Sequence, residues 1–257
     1  MVFSPCHCGL VFALGIEAGG LQDLLDGLVT TRGPGFIARQ GTLGDRQVVL
    51  MLSGPGRASA ARATEALLDG HRPELVISAG FAGGLDPKLQ RGDIVLADTL
   101  LDEAAGSLAM QRNLIPATLA AARGVYLGRL LTVDRIIRLP EEKRALGVAH
   151  GALAVDMETF AVAEVCRRRE TPLLAVRAIS DTADDLLPPD LERLIAQKTA
   201  AARWGAALGS ILKRPSRVKD LLVLQHRALE AAERLAQFLA ALIGQSGSGA
   251  TRLESEG

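Results

Sequence analysis

The strongest constraint on the fold is the alternation of short apolar runs with longer amphipathic stretches along the 257 residues. Several short runs, including ELVISAG, GDIVLAD and PLLAVRAIS, are apolar at successive positions rather than at every second position. A strand with that pattern is buried on both faces, as when helices cover both sides of a sheet. The alternation therefore predicts an α/β fold: a single three-layer domain with a central mixed, largely parallel sheet flanked by helices.

The same patterning places the individual elements. Strands are predicted at 9–16, 46–52, 74–79, 93–97, 124–132 and 172–179, and a further apolar run ends at Asp156. Helices are predicted at 17–29, 57–70, 113–123, 140–148, 157–169 and 189–212. Ligands of open α/β sheets bind beyond the carboxyl ends of the strands, so the residues that follow each strand are the candidates for function.

The sequence KRPSR at 213–217 marks a boundary, because Pro215 should end the preceding helix. Beyond it, an extra C-terminal amphipathic helix is predicted from apolar residues at helical spacing, among them Leu229, Leu235, Leu239 and Leu242. Such a face must dock on its own domain or on a partner chain. The Gly/Ser-rich end is typical of disorder. We therefore expect a domain at 1–212, a helix at 213–244 and a disordered tail at 245–257.

The amino-acid composition restricts the kinds of molecule that the chain is expected to bind. Lys and Arg total 29, as do Asp and Glu, and aromatic residues make up 3% of the chain. A nucleic-acid partner is not expected, since it requires a basic surface or stacking aromatics. The apolar run GLVFALGI is too short to span a bilayer and lacks a basic segment before it, so no membrane partner is expected. We interpret it as the buried first strand of a cytoplasmic protein that binds a small molecule.

Three cysteines are too few and too scattered for a disulfide framework, which favours a reducing compartment. Cys6, His7 and Cys8 could ligate a metal, but no second Cys/His pair completes a tetrahedral site. We therefore expect no metal and no cofactor.

Small and acidic residues follow the predicted strands. Gly54, Gly56 and Arg57 in SGPGRAS form either a candidate anion site or a plain turn. Gly83 in SAGFAGG allows close approach to a ligand or merely forms a tight loop. Asp181 in RAISDTADD is either a general acid or a turn cap.

Three segments in order carry a family resemblance. AGFAGGLDPKLQRGDIVLAD, AVDMETFAVAEVC and VRAISDTADD together resemble the nucleoside phosphorylase/nucleosidase family, also called the purine and uridine phosphorylase superfamily. They look most like its bacterial methylthioadenosine/S-adenosylhomocysteine nucleosidase branch, and ALGIEA is similar to the motif that carries that branch's water-activating glutamate. The resemblance spans residues 10 to 212 and leaves the C-terminal helix outside.

The resemblance implies roles for individual residues. Asp181 matches the acid that protonates N7 of the leaving purine, with Ser180 as its hydrogen-bond partner, and Glu17 matches the base that activates water. A carboxylate can accept hydrogen bonds from both ribose hydroxyls, and Glu158 matches that ribose ligand. The remaining matches are Met157 against the sugar, backbone around Gly83 beside purine and ribose, and Arg177 near the nucleophile. Asp156 is expected to be structural, and a homodimer is implied.

The general acid has to retain its proton near neutral pH. We therefore expect Asp181 to lie in surroundings that favour its neutral form.

The sequence departs from the family pattern at two places. Phe81 stands where a small hydroxyl residue usually helps to hold the attacking water, and a phenyl ring makes no such hydrogen bond. Arg135 and Ile136 stand where a phenylalanine commonly stacks on the purine. Phe81 could supply an apolar surface in compensation.

The function implied is hydrolysis of a 5′-methylthioadenosine- or S-adenosylhomocysteine-type nucleoside to adenine and the thioribose product, in methionine salvage. One alternative is a phosphate-dependent phosphorylase, with Arg57 and Arg177 as phosphate ligands, or a relative that acts on futalosine or hopanoid-linked adenosine. Another is a nucleoside-binding protein without catalytic activity, which Phe81 and the added helix would suit.

Overall fold

The computed structural model describes residues 6–189, 191 and 215–245, and the side chains of the last segment from His226 onward. Its strands are β1 (Cys8–Phe12), β2 (Asp26–Gly33), β3 (Phe36–Leu43), β4 (Arg46–Leu52), β5 (Leu75–Gly84), β6 (Ile94–Asp102), β7 (Gly106–Ala109), β8 (Val125–Thr132), β9 (Ala152–Asp156) and β10 (Leu173–Asp181). Its helices are α1 (Gly15–Gln22), α2 (Arg57–His71), α3 (Ala117–Ala120), α4 (Pro140–His150), α5 (Thr159–Arg168) and α6 (Pro215–Gln245).

All ten strands belong to one sheet, in the order β10-β6-β8-β9-β5-β1-β4-β3-β2, with β7 paired to β6. β10 also pairs with β5, so five of the strands close into a ring. β1 is parallel to β4 and β5, β10 to β5, and β8 to β6 and β9. The sheet is mixed, as predicted. Antiparallel pairs are nevertheless as numerous as parallel ones, because β2, β3 and β4 form a meander and β6 runs against both β7 and β10.

Several predicted boundaries need correction. Helix α1 ends at Gln22, and the predicted helix 17–29 runs into β2. The strands β2 and β3 were not predicted because most β2 residues are exposed, so the sequence shows no apolar alternation there. The predicted helix 113–123 contains only a 3₁₀ turn and the four-residue α3. The predicted helix 189–212 and the tail after Gln245 lie outside the described residues, apart from Pro189 and Leu191.

Two apolar cores lie on opposite faces of the sheet, which confirms the three-layer arrangement. Strand β4 shows the division: Val49 and Met51 pack toward α2 and α5, whereas Val48, Leu50 and Leu52 pack toward α1 and α6. Alternate residues of a strand point to opposite faces, so helices on both sides require apolar residues throughout. This burial explains the continuous apolar runs in the sequence.

Helix α6 docks on its own domain, against α1. Leu235, Leu239 and Leu242 are fully buried in the core that α1 and the sheet share, as the helical spacing predicts. Leu229 is the exception, with half of its surface exposed. The two helices approach closely at Gly20, where an added Cβ would lie 2.9 Å from the Cβ of Ala236. Among the described helices, none is both long and apolar enough to cross a bilayer.

Because α1 and α6 approach closely at Gly20, we predict that substitution by alanine has opposite effects on stability at Gly19 and Gly20. Replacing glycine by alanine inside a helix normally stabilises it by about 0.5–1 kcal/mol, and Gly19→Ala meets no atom within 4 Å. Gly20→Ala should instead lower the free energy of unfolding by about 1 kcal/mol, since overpacking against Ala236 outweighs the helix gain. Urea denaturation of both variants measures the difference. Equal stabilisation of the two would contradict the α1–α6 packing.

Candidate active site

A cavity of about 360 Å³ opens at the carboxyl ends of β1, β9 and β10, beside the last residues of β5. This volume suits a small organic ligand. The structure brings eight of the sequence-predicted site residues together around it: Glu17, Phe81, Gly83, Ile136, Met157, Glu158, Ser180 and Asp181. Three of these are acids from segments far apart in the chain, so the fold brings three carboxyl groups together in a mostly apolar cavity.

Glu17 is held in the first turn of α1 by backbone amides. Its Oε2 accepts the Leu14 N–H at 2.7 Å, and its Oε1 accepts the Phe81 N–H at 2.9 Å. A Cβ on Gly80 would lie 2.8 Å from Oε1, so the carboxylate fits only because residue 80 is glycine. Burial raises the pKa of the Glu17 carboxyl, although the two amides oppose the shift. The Glu17 carboxyl is therefore fixed in position by the backbone on both of its oxygens.

Glu158 stands at the junction between β9 and α5, and its Oε1 accepts the Gly56 N–H at 2.8 Å. Burial, reinforced by repulsion from Asp156, raises the pKa of Glu158 to about 7. Met157 lies beside it on the cavity wall. A carboxyl group and a thioether therefore lie side by side on the cavity wall.

This geometry corrects the prediction of an anion site at Gly54, Gly56 and Arg57. The Gly56 amide does bind an anion, but that anion is the protein's own Glu158 carboxylate. The Arg57 guanidinium forms ion pairs with Asp102 and Asp134, which the sequence did not associate with it. The glycine turn thus positions Glu158, and Arg57 is engaged away from the cavity.

Asp181 ends β10 and lies against two polar groups. The Ser180 hydroxyl is 2.7 Å from Oδ1, and Oδ2 contacts the ammonium of Lys143, a residue that the sequence analysis missed. The Asp181 carboxyl therefore lies against a cationic side chain, and the expectation of surroundings that favour its neutral form stays a prediction. Lys143 lies 38 positions earlier, on α4, and nothing in the local sequence PEEKRAL distinguishes it from a solvated lysine.

Arg177 lies behind the cavity, not on its wall. Its guanidinium donates to Asp156 Oδ2 at 2.8 and 3.0 Å and to the Ser78 carbonyl at 2.8 Å. Asp156 also accepts the Thr132 hydroxyl at 2.7 Å, which gives this acid the structural role expected of it. Together with Glu17 and Glu158, Arg177 lines a second cavity of about 10 Å³, roughly the size of one water molecule.

Phe81 contributes both its backbone and its ring. Its N–H holds Glu17, while its side chain lines both cavities and packs against the core on the α1 side. The Arg135 side chain pairs with Glu142, and Ile136 lines the larger cavity. An apolar wall of Phe81 and Ile136 therefore occupies the region where the sequence departs from the family pattern.

Comparisons with known proteins show a family relationship over most of the chain. The model of the Phosphorylase superfamily matches residues 8–214. The 5′-methylthioadenosine/S-adenosylhomocysteine nucleosidase of Marinomonas sp. (strain MWYL1) is 34% identical over an alignment of 190 residues, and the match covers 65% of this chain and 81% of that protein. The nucleosidase of the same name from Tolumonas auensis is 28% identical over an alignment of 227 residues, and the match covers 80% of this chain and 98% of that one.

Solved structures share the fold. The 5′-methylthioadenosine/S-adenosylhomocysteine nucleosidase from Neisseria meningitidis, in complex with methylthio-immucillin-A, superposes with a TM-score of 0.72 at 22% identity over 92% of this chain and 98% of that chain. The futalosine hydrolase of Helicobacter pylori superposes with a TM-score of 0.71 at 18% identity over 93% of this chain and 97% of that chain. The fold alone therefore does not separate these two kinds of substrate.

The raised pKa of Glu158 predicts a pH-dependent stability. A carboxyl whose pKa rises from 4.5 to about 7 on folding destabilises the protein above pH 7, and the cost disappears as pH falls toward 4.5. At pH 8, Glu158→Gln should raise the free energy of unfolding by up to about 3 kcal/mol, whereas near pH 4.5 it should have little effect. Urea denaturation at both pH values measures this, with the exposed Glu141→Gln as control. No gain at pH 8 would show that Glu158 is not strained by burial.

Proposed function

This chain belongs to the Phosphorylase superfamily, and on that premise we propose that it hydrolyses the N-glycosidic bond of a purine nucleoside. The relative at 34% identity is named as a 5′-methylthioadenosine/S-adenosylhomocysteine nucleosidase. The proposed substrates are nucleosides of that type, which yield adenine and a thioribose product. The observation that carries the proposal is the convergence of Glu17, Glu158 and Asp181 on one nucleoside-sized cavity.

The three acids suit three requirements of the reaction. As the C1′–N9 bond breaks, the purine gains negative charge, and Asp181 delivers a proton to N7 with Ser180 beside it. The ribose gains positive charge, which the Glu158 carboxylate stabilises through hydrogen bonds from the sugar hydroxyls while Met157 packs on the ring. Glu17 accepts a proton from the water that attacks C1′.

The charges around the cavity favour water over phosphate as the nucleophile. A phosphate dianion needs cationic donors, and the expected donors were Arg57 and Arg177. Arg57 is paired with Asp102 and Asp134, and the Arg177 guanidinium donates to acceptors within the protein. The buried Glu17 would in addition repel the dianion. The small cavity between Glu17 and Arg177 has the volume of one water, and the Ser53 and Ser78 side chains on its wall can replace the hydroxyl that Phe81 lacks.

The apolar part of the cavity wall suits a thioether at the 5′ position. It is formed by Leu14, Pro55, Ile136, Ile137, Leu187 and Leu191. Such a wall favours an uncharged, apolar 5′ substituent by the hydrophobic effect. The cavity wall does not exclude futalosine or hopanoid-linked adenosine, which stay second candidates for the substrate. The homodimer, the cytoplasmic location and the place in methionine salvage stay predictions.

The decisive assay is release of adenine from 5′-methylthioadenosine in phosphate-free buffer, within a panel that includes S-adenosylhomocysteine, adenosine and futalosine. We expect turnover without phosphate and no sugar 1-phosphate product when phosphate is added. Strict dependence on phosphate would make the protein a phosphorylase. Tight nucleoside binding without any product would make it a binding protein.

Two substitutions connect the activity to the proposed acids. Asp181→Asn and Glu17→Gln should each lower kcat by at least about 100-fold, because each removes one proton transfer. The matched control is Asp184→Asn, which replaces an acid on the exposed segment after β10 that pairs with Arg144. Near-normal turnover in Asp181→Asn would contradict the assignment of the general acid.

A further inference from the structure

Lys143 is buried to an unusual degree. Its side chain has no exposed surface, although lysine is almost never fully buried without a partner. The ammonium contacts Asp181 Oδ2 and donates to the Thr182 carbonyl at 2.9 Å and the Asp185 carbonyl at 3.1 Å. All three N–H groups are thus directed at oxygen acceptors, and one of these acceptors belongs to the proposed general acid.

Burying the Lys143 ammonium costs hydration free energy. The contact between α4 and the segment after β10 does not by itself explain why a charged residue stands there. A buried ion pair is often no more stabilising than apolar side chains of similar size, because both charges lose hydration. Apolar side chains in place of both members of the pair would fill the same space without that cost. The placement of an ammonium against Asp181 is therefore better explained by what it does to Asp181.

Ser180 makes Asp181 suited to gain and lose a proton. The Ser180 hydroxyl lies 2.7 Å from Asp181 Oδ1 and 3.3 Å from the Ala82 carbonyl. It can donate to Asp181 when the acid is ionised, and it can donate to Ala82 while accepting from Asp181 when the acid is protonated. Both protonation states of Asp181 therefore keep a hydrogen-bond partner.

Resting on the proposed function, we propose that Lys143 is a positioning residue that supplies, through Asp181, the proton transferred to purine N7. In the resting site the pair is ammonium and carboxylate. As C1′–N9 breaks, its electron pair moves into the purine, and Asp181 takes a proton from Lys143 and passes one to N7. The attacking water loses one proton to Glu17, and after the products leave, this proton returns through water in the cavity to Asp181 and from there to the Lys143 amine. Nucleoside and water thus give sugar and purine, with no other reactant.

The test compares two leaving groups. 5′-Methylthioadenosine needs a proton on its purine, whereas 4-nitrophenyl β-D-ribofuranoside releases a stable phenolate without one. Lys143→Met, nearly isosteric but uncharged, should lose about 100- to 1,000-fold in kcat with the purine nucleoside. Its loss with the nitrophenyl riboside should be at least about tenfold smaller, since general-acid assistance is not needed there. Lys143→Arg should recover part of the purine activity. Equal losses with both substrates, or none with either, would overturn the proposal.

A double-mutant cycle gives a second test that does not depend on the nitrophenyl substrate. If Lys143 acts through Asp181, adding Lys143→Met to Asp181→Asn should cost no more than about threefold, because the proton path is already broken. The double variant also contains no unpaired buried charge, so it should be more stable than Lys143→Met alone. Losses that multiply would show that Lys143 acts independently of Asp181. Failure of the wild type to release adenine from any nucleoside would instead refute the proposed function itself.

Discussion

The ion pair between Arg177 and Asp156 is the interaction on which the site depends. Both side chains are almost completely buried, with 4% and 1% of their surfaces exposed. Arg177 on β10 also binds Ser78 on β5, and Asp156 on β9 also binds Thr132 on β8. These contacts join four strands of the ring, β5, β8, β9 and β10, next to the cavity. Loss of either partner would leave an unpaired charge in the core, which typically costs several kcal/mol.

Above this layer, two of the three proposed acids of the cavity are held by backbone amides. Glu17 is bound by the amides of residues 14 and 81, and Glu158 by the amide of Gly56. Amides fix the position of a carboxylate without neutralising it, so burial still raises the pKa of both groups. Burial of these carboxyl groups lowers the stability of the fold, but it leaves them oriented before a ligand binds. Pre-oriented groups lower the barrier to reaction.

Much of the fold and of the site could be predicted from sequence because the signals are local. Met157, Glu158 and Asp181 directly follow or end apolar runs, so the ends of strands could be recognised without knowing the topology. Other features depend on contacts between distant segments. Arg57 forms ion pairs with Asp102 and Asp134, and Lys143 forms one with Asp181. These contacts exist only because the closed sheet brings distant segments together. The exposed strand β2 carries no periodic signal, since neither of its faces is buried.

The central claim is that Asp181 faces the purine, Glu158 the ribose and Glu17 the attacking water. A crystal structure of the protein with methylthio-immucillin-A, the ligand of the Neisseria meningitidis relative, tests it most directly. We expect N7 of the base at Asp181 and a sugar hydroxyl at Glu158, each within about 3 Å, with a water between Glu17 and the anomeric position. A base bound at Glu158, or a ligand outside the cavity, would contradict it.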